Sequence, residues 1–151
     1  MADRKTILET GLRMETEAHR YYREHASKVK HPGAAEMLRE MAAEEQRHVD
    51  LFQAALEGRA PLFGAGAPRP RQDLKIGETL KDVTLTPASG PGDVLVVAIK
   101  AEMHAIRAYE DWAREHAGTD LETLLLRLAA EEKAHKYRLE KLYDEEFLRG
   151  N

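Results

Sequence analysis

Two short phrases in this sequence hold the residue types that bind metals. AAEEQRH occupies 42–48 and AAEEKAH occupies 129–135, 87 positions further on. Each places a glutamate three residues before a histidine: Glu45 before His48, and Glu132 before His135. On a helix this spacing projects both side chains from neighbouring points of one face. One ion can then take the imidazole and one carboxylate oxygen, while the other oxygen reaches a second ion. The same offset of 87 relates Glu15, Ala18 and Tyr22 to Glu102, Ala105 and Tyr109, and Leu8, Arg20, Ala26 and Leu38 to Leu95, Arg107, Ala113 and Leu125. Both lone glutamates lie 30 residues before the glutamate of the following motif, so no gap separates the copies. The chain is two copies of a helix pair, each offering one lone Glu and one Glu-x-x-His. Four carboxylates and two imidazoles are the ligand set of a two-metal site inside a four-helix bundle.

Charge supports this. Glu15, Glu45, Glu102 and Glu132 together carry −4, which two divalent cations balance, whereas six ionisable groups facing one core without metal would be very unfavourable. Carboxylate with imidazole suits iron or manganese, and zinc fits the same ligand types. Glu44 and Glu131 precede the same histidines by four residues and lie on roughly the same side. The Glu-x-x-His spacing and the alignment of Leu38, Met41 and Glu45 select Glu45 and Glu132, leaving their neighbours as outer partners or solvated groups. A single Glu-x-x-His is commonplace in Glu-rich helices; two motifs and two lone glutamates at one offset are not. Tyr22 and Tyr109 sit seven residues beyond the lone glutamates on the same face. They are equally readable as hydrogen-bonding or proton- and electron-donating groups at the site and as core tyrosines with satisfied hydroxyls. Trp112, where the first copy has His25, reads as packing. His19, His25, His31, His104 and His116 read as surface or structural, and Met14, Met37, Met41 and Met103 as core fillers.

Four helices must position these groups. Thr6 with Glu9 has capping-box spacing, so the first helix starts there or slightly earlier. It presents Leu8, Leu12, Glu15, Ala18, Tyr22 and Ala26 inward and ends before His31-Pro32-Gly33. The second runs from about Ala34 to Glu57, with Leu38, Met41, Glu45, His48, Phe52 and Leu56 on one face, and Gly58 stops it. Residues 58–92 hold five of the six prolines and six of the ten glycines. A loop of this length makes sense if the second and third helices run parallel. The chain must then travel the bundle's length, roughly 35 Å for a 24-residue helix, with room for a short helical piece around Ile76–Val83. The third helix begins near Asp93 and turns Leu95, Ile99, Glu102, Ala105, Tyr109 and Ala113 inward until Gly118. Thr119 with Glu122 opens the fourth, which carries Leu121, Leu125, Leu128, Glu132, His135, Leu139 and Leu142. The expectation is one all-α domain over 1–151: a hairpin over about 4–57, a crossover over 58–92, and a second hairpin over about 93–148.

With 23 Lys+Arg interspersed among 27 Asp+Glu, no basic patch points to nucleic acid. The absence of cysteine excludes disulfides, thiolate metal sites and a catalytic thiol within these residues. The start, MADRKTILETG, has no apolar segment of a secretory signal, and the longest apolar run, Val94–Ile99, is too short for a bilayer. A cytoplasmic protein with no membrane partner is expected.

The segments ETEAHRYY (15–22), AAEEQRH (42–48), AEMHAIRAY (101–109) and AAEEKAH (129–135) resemble the ferritin-like superfamily, nearest its rubrerythrin (erythrin) branch, across all four helices. The resemblance implies an antiparallel four-helix bundle with one long crossover, and iron ligands Glu15, Glu45, His48, Glu102, Glu132 and His135, with Glu45 and Glu132 bridging two iron ions. It implies reduction of hydrogen peroxide or dioxygen in oxidative-stress defence, with electrons from a rubredoxin-like donor, and a homodimer that could exchange hairpins through 58–92. Rubrerythrins carry a further Glu three residues after the third-helix glutamate, where this chain has Ala105, and a Cys-rich rubredoxin domain, of which these residues contain none. Electrons are therefore expected from another protein. Open alternatives are a ferroxidase in iron handling, a di-iron hydroxylase of an organic substrate, and a helical interaction module without redox activity. A hydroxylase would need a sizeable apolar channel, of which the sequence shows no sign.

Overall fold

A computed structural model describes residues 2–59, 68–86 and 88–148. Four long helices dominate it: α1 (Arg4–Ala26), α2 (Pro32–Leu56), α3 (Pro91–Glu115) and α4 (Asp120–Tyr143). There is no strand among the described residues. A 3-10 turn (Gly77–Thr79) interrupts the crossover, and a π turn (Asp144–Leu148) extends α4.

The helix starts show which local signal wins. Asp3, not Thr6, caps α1: its Oδ1 accepts from Thr6 N at 2.8 Å, and a carboxylate there also meets the positive end of the helix dipole. In α2 and α3 the first residue is proline, Pro32 and Pro91. Both helices thus begin about two residues before the sequence expectation, because proline at the first position sacrifices no hydrogen bond. His31 Nδ1 accepts from Ala34 N at 3.0 Å, which gives that histidine its structural role. Thr119 caps α4 as expected, accepting from Glu122 N at 3.4 Å, while the Glu122 carboxylate reaches back to Gly118 N at 3.2 Å. Gly118, at φ +83°, takes the left-handed turn that reverses α3 into α4.

Helix directions follow from the pairings. α1 packs on α2 and α3 on α4 as antiparallel hairpins. Arg4 at the start of α1 pairs with Asp120 at the start of α4, and Tyr21 near the end of α1 donates to Val94 O near the start of α3 at 3.0 Å. α1 and α3 are therefore antiparallel, and α2 and α3 parallel, so the crossover must return along the bundle. Its described part carries only the 3-10 turn, shorter than the helical piece expected over 76–83. Pro61, Gly64, Gly66 and Pro87 lie outside the described residues.

The apolar core has two halves. One gathers Ile7, Leu8, Phe52, Tyr109, Leu125 and Leu128; the other gathers Tyr22, Leu38, Met41, Leu95, Ile99 and Leu139. Most positions of the expected inward stripes are buried, with Leu12, Ala18 and Leu56 only partly so. Met41 is fully buried, whereas Met14, Met37 and Met103 are partly buried and pack against the core from outside. Between the two halves lies a layer of carboxylates and imidazoles.

Candidate metal centre

Glu15, Glu45, His48, Glu102, Glu132 and His135 are all 2% exposed or less. Offering one ligand atom each, they form two sets whose atoms lie within 4.8 Å of one another: Glu15, Glu45, His48 and Glu132, and Glu45, Glu102, Glu132 and His135. Glu45 and Glu132 belong to both sets, which is the position a bridging carboxylate must occupy.

The imidazoles point their Nδ1 atoms inward. His48 Nδ1 is 3.3 Å from Glu15 Oε2 and 3.6 Å from both Glu45 Oε1 and Glu132 Oε1. His135 Nδ1 is 2.9 Å from Glu45 Oε1, 3.1 Å from Glu132 Oε1 and 3.6 Å from Glu102 Oε1. The rings lie nearly parallel, at 18° and 6.1 Å between centroids. Their outer Nε2 atoms donate across the bundle, His48 to Glu131 at 2.8 Å and His135 to Glu44. These are the two glutamates set aside in the sequence as outer partners. Such a hydrogen bond fixes the tautomer that leaves Nδ1 free for a metal. Glu131 is held in turn by Arg127 Nε at 2.9 Å.

Both tyrosines also reach across. Tyr22 donates to Glu102, and Tyr109 donates to Glu15, so each lone glutamate is held by the other hairpin's phenol. Burial, then the carboxylates beside them, pushes both phenols well above their ordinary range, and they stay protonated as donors. Trp112 packs 6.0 Å from the Tyr109 ring.

Without an ion, protons must take the place of cations. Burial disfavours a charged His48, but its hydrogen bonds to Glu131 and Glu15 outweigh that and lift it to about 10. His135 is raised well above its usual value: burial lowers it, and the surrounding carboxylates of Glu102, Glu132 and Glu44 outweigh that. Burial, then the Glu132 charge, raises Glu102 to about 8, and burial with Glu132 and Glu15 raises Glu45 well above its usual value. Glu132 goes the other way: burial would raise it, yet His135 draws it down to about 2. A divalent ion would replace these protons.

The donor set fits such an ion. Glu45 Oε1 and Oε2, Glu102 Oε2, Glu132 Oε1 and His135 Nδ1 are buried without a hydrogen-bond partner. His135 Nδ1 and Glu45 Oε1 are close but misaligned for a hydrogen bond. Buried polar atoms are rarely unpaired, and five at one point, all lone-pair donors, suit a Lewis acid and not an apolar ligand. Oxygen and nitrogen donors without sulfur match iron, manganese or zinc.

Two features went unseen in the sequence. Lys136 and Glu140, 5% and 0% exposed, anchor the crossover: Lys136 Nζ lies 2.8 Å from Asp73 and 3.0 Å from Glu140, and Glu140 accepts from Gly77 N at 2.7 Å. At the repeat offset their counterparts are Val49 and Gln53, and that break in the repeat was the available signal. The second feature is a largely apolar cleft of about 260 Å³ between α1 and α3, with Glu15, Glu45, Glu102 and Glu132 in its lining. It lies beside alanines on two different helices, Ala18 on α1 and Ala101 and Ala105 on α3, which no single stripe reveals. Among the described residues no helix is long and apolar enough to cross a membrane.

No curated protein matches the chain. The rubrerythrin family pattern, however, matches residues 6–65 and 93–151. That match covers both hairpins and omits most of the crossover, so the family resemblance and the buried site rest on the same two segments. The chain belongs to the rubrerythrin family.

Proposed function

We propose that this protein is a di-iron oxidoreductase that reduces hydrogen peroxide or dioxygen in oxidative-stress defence in the cytoplasm. The observation that carries the reading is the pair of overlapping four-residue sets, buried and rich in unpartnered lone pairs; the family supports iron as the occupant. Glu15 and His48 would hold one ion, Glu102 and His135 the other, and Glu45 and Glu132 both. Two ferrous ions would supply the two electrons that, with two protons, reduce hydrogen peroxide to water.

The chain's own groups would do the rest. His48 and His135 bind through Nδ1 because Glu131 and Glu44 hold Nε2. Tyr22 and Tyr109 keep Glu102 and Glu15 oriented and retain their hydroxyl protons within the site. The two apolar half-cores exclude water along the bundle axis. With no cysteine among these residues, electrons would return from a donor outside this bundle such as a rubredoxin, and a homodimer is the proposed assembly.

Anaerobic Fe(II) loading followed by separate challenge with H₂O₂ and O₂, watched by absorbance, tests this. Two irons per chain and faster oxidation by peroxide than by O₂ are expected. Faster oxidation by O₂ would shift the assignment to a ferroxidase or oxygenase. Purified protein that takes up neither iron nor manganese would end the redox reading.

A further inference from the structure

The two faces of the site are built differently. On the α2/α4 face, Glu44 and Glu131 cover the imidazoles, with Arg47 and Arg127 paired to Glu131. That face is closed by charge. α1 and α3, like α2 and α4, approach far less closely than the helices within either hairpin, and on the α1/α3 face the alanines Ala18, Ala101 and Ala105 stand between them. Tyr22 and Tyr109 would be large enough to fill the gap, but their hydroxyls are held on Glu102 and Glu15. What remains is the 260 Å³ cleft, whose walls are mainly Met14, Ala18, Val97 and Ala105, with the exposed Glu17 and His104 also in its lining, and whose floor is formed by the site's glutamates.

We propose that this cleft is a binding site for small uncharged molecules, kept open by the repeat-related alanines Ala18 and Ala105, and is their route to the metal ligands. The walls decide the ligand class. Methyl, thioether and isopropyl groups offer no hydrogen bond, and the Tyr21 hydroxyl is already used by Val94 O at 3.0 Å. No lysine or arginine lines the cleft, and its one imidazole, His104, is exposed and shares the lining with the Glu17 carboxylate, so an anion would meet more carboxylate than cationic charge. The volume sets an upper size. An engineered apolar cavity of about 150 Å³ holds benzene, so this cleft admits one ring or a short hydrocarbon chain, and peroxide or dioxygen with ease. Leucine at both 18 and 105 would narrow it.

The role in turnover rests on the di-iron reading above; binding in the cleft does not. Ligand-observed NMR with benzene as the neutral probe and acetate as the charged one tests binding in the protein as isolated. Benzene is expected to show saturation transfer, acetate none, and Ala18→Leu with Ala105→Leu to weaken benzene at least tenfold. Ala101→Phe, at the exposed rim, gives the same loss without touching buried packing. In the second arm, the leucine variant still binds two irons but is oxidised by H₂O₂ at least tenfold more slowly. Slower oxidation without benzene binding supports the cleft as a route for the oxidant alone; benzene binding supports an organic ligand as well. Equal binding of acetate and benzene, or no change in either arm for every variant, overturns the proposal. Wild-type protein that binds no iron defeats the proposed function, while the benzene arm still decides the cleft.

Discussion

Replacing Glu45 with methionine should stabilise the metal-free protein and destroy its response to metal. Glu45 is 0% exposed and neither carboxylate oxygen has a partner. A buried polar group left unsatisfied costs about 1–3 kcal/mol, and because burial and the neighbouring carboxylates keep metal-free Glu45 protonated, removing it leaves no unpaired buried charge, the case that costs about 3–5 kcal/mol. Methionine has the length of glutamate and enough flexibility to fill the gap. At roughly 2–4 °C per kcal/mol for a chain of this size, metal-free Glu45→Met should melt several degrees above metal-free wild type. With metal the order reverses. Ligand at about a hundred times its Kd contributes about 2.7 kcal/mol per site, and Glu45 belongs to both four-residue sets, so the variant forfeits both contributions. Thermal unfolding of the two proteins, chelated and then loaded anaerobically with Fe(II), is the assay. A metal-free variant less stable than wild type, or one that still takes up two metals, would refute the argument that the site's polarity is kept at the expense of the fold.

Two further outcomes concern the scaffold. A Cβ on Gly11 would lie 2.4 Å from Phe52 Cζ, so Gly11→Ala should destabilise by about 1–3 kcal/mol through overpacking, less up to about 1 kcal/mol of helix propensity. Phe52→Leu should relieve it, because the repeat itself pairs Ala98 with Leu139 at the equivalent positions; strictly additive effects in a denaturant double-mutant cycle would refute this. Lys136→Met should leave Asp73 and Glu140 without their cation and cost roughly 3–5 kcal/mol, with faster proteolysis within 68–86; unchanged cleavage there would show that the crossover is held by other contacts.

The amino-acid sequence alone determined the candidate ligand types, their helical spacing and the duplication, because each is a property of one helix or of one offset along the chain. Glu15, Glu45, His48, Glu102, Glu132 and His135 were legible in this way, as was the parallel relation of α2 and α3 implied by a long crossover. What only the tertiary structure decided is who faces whom across the hairpins. Tyr22 serves Glu102 and Tyr109 serves Glu15; Glu44 holds His135 and Glu131 holds His48. Periodicity says which face a side chain takes but carries no distance to the next helix. For the same reason the Lys136–Glu140 anchor and the cleft between Ala18 and Ala105 exist only once the helices are set side by side, one pulling the crossover in and the other left by residues too short to meet.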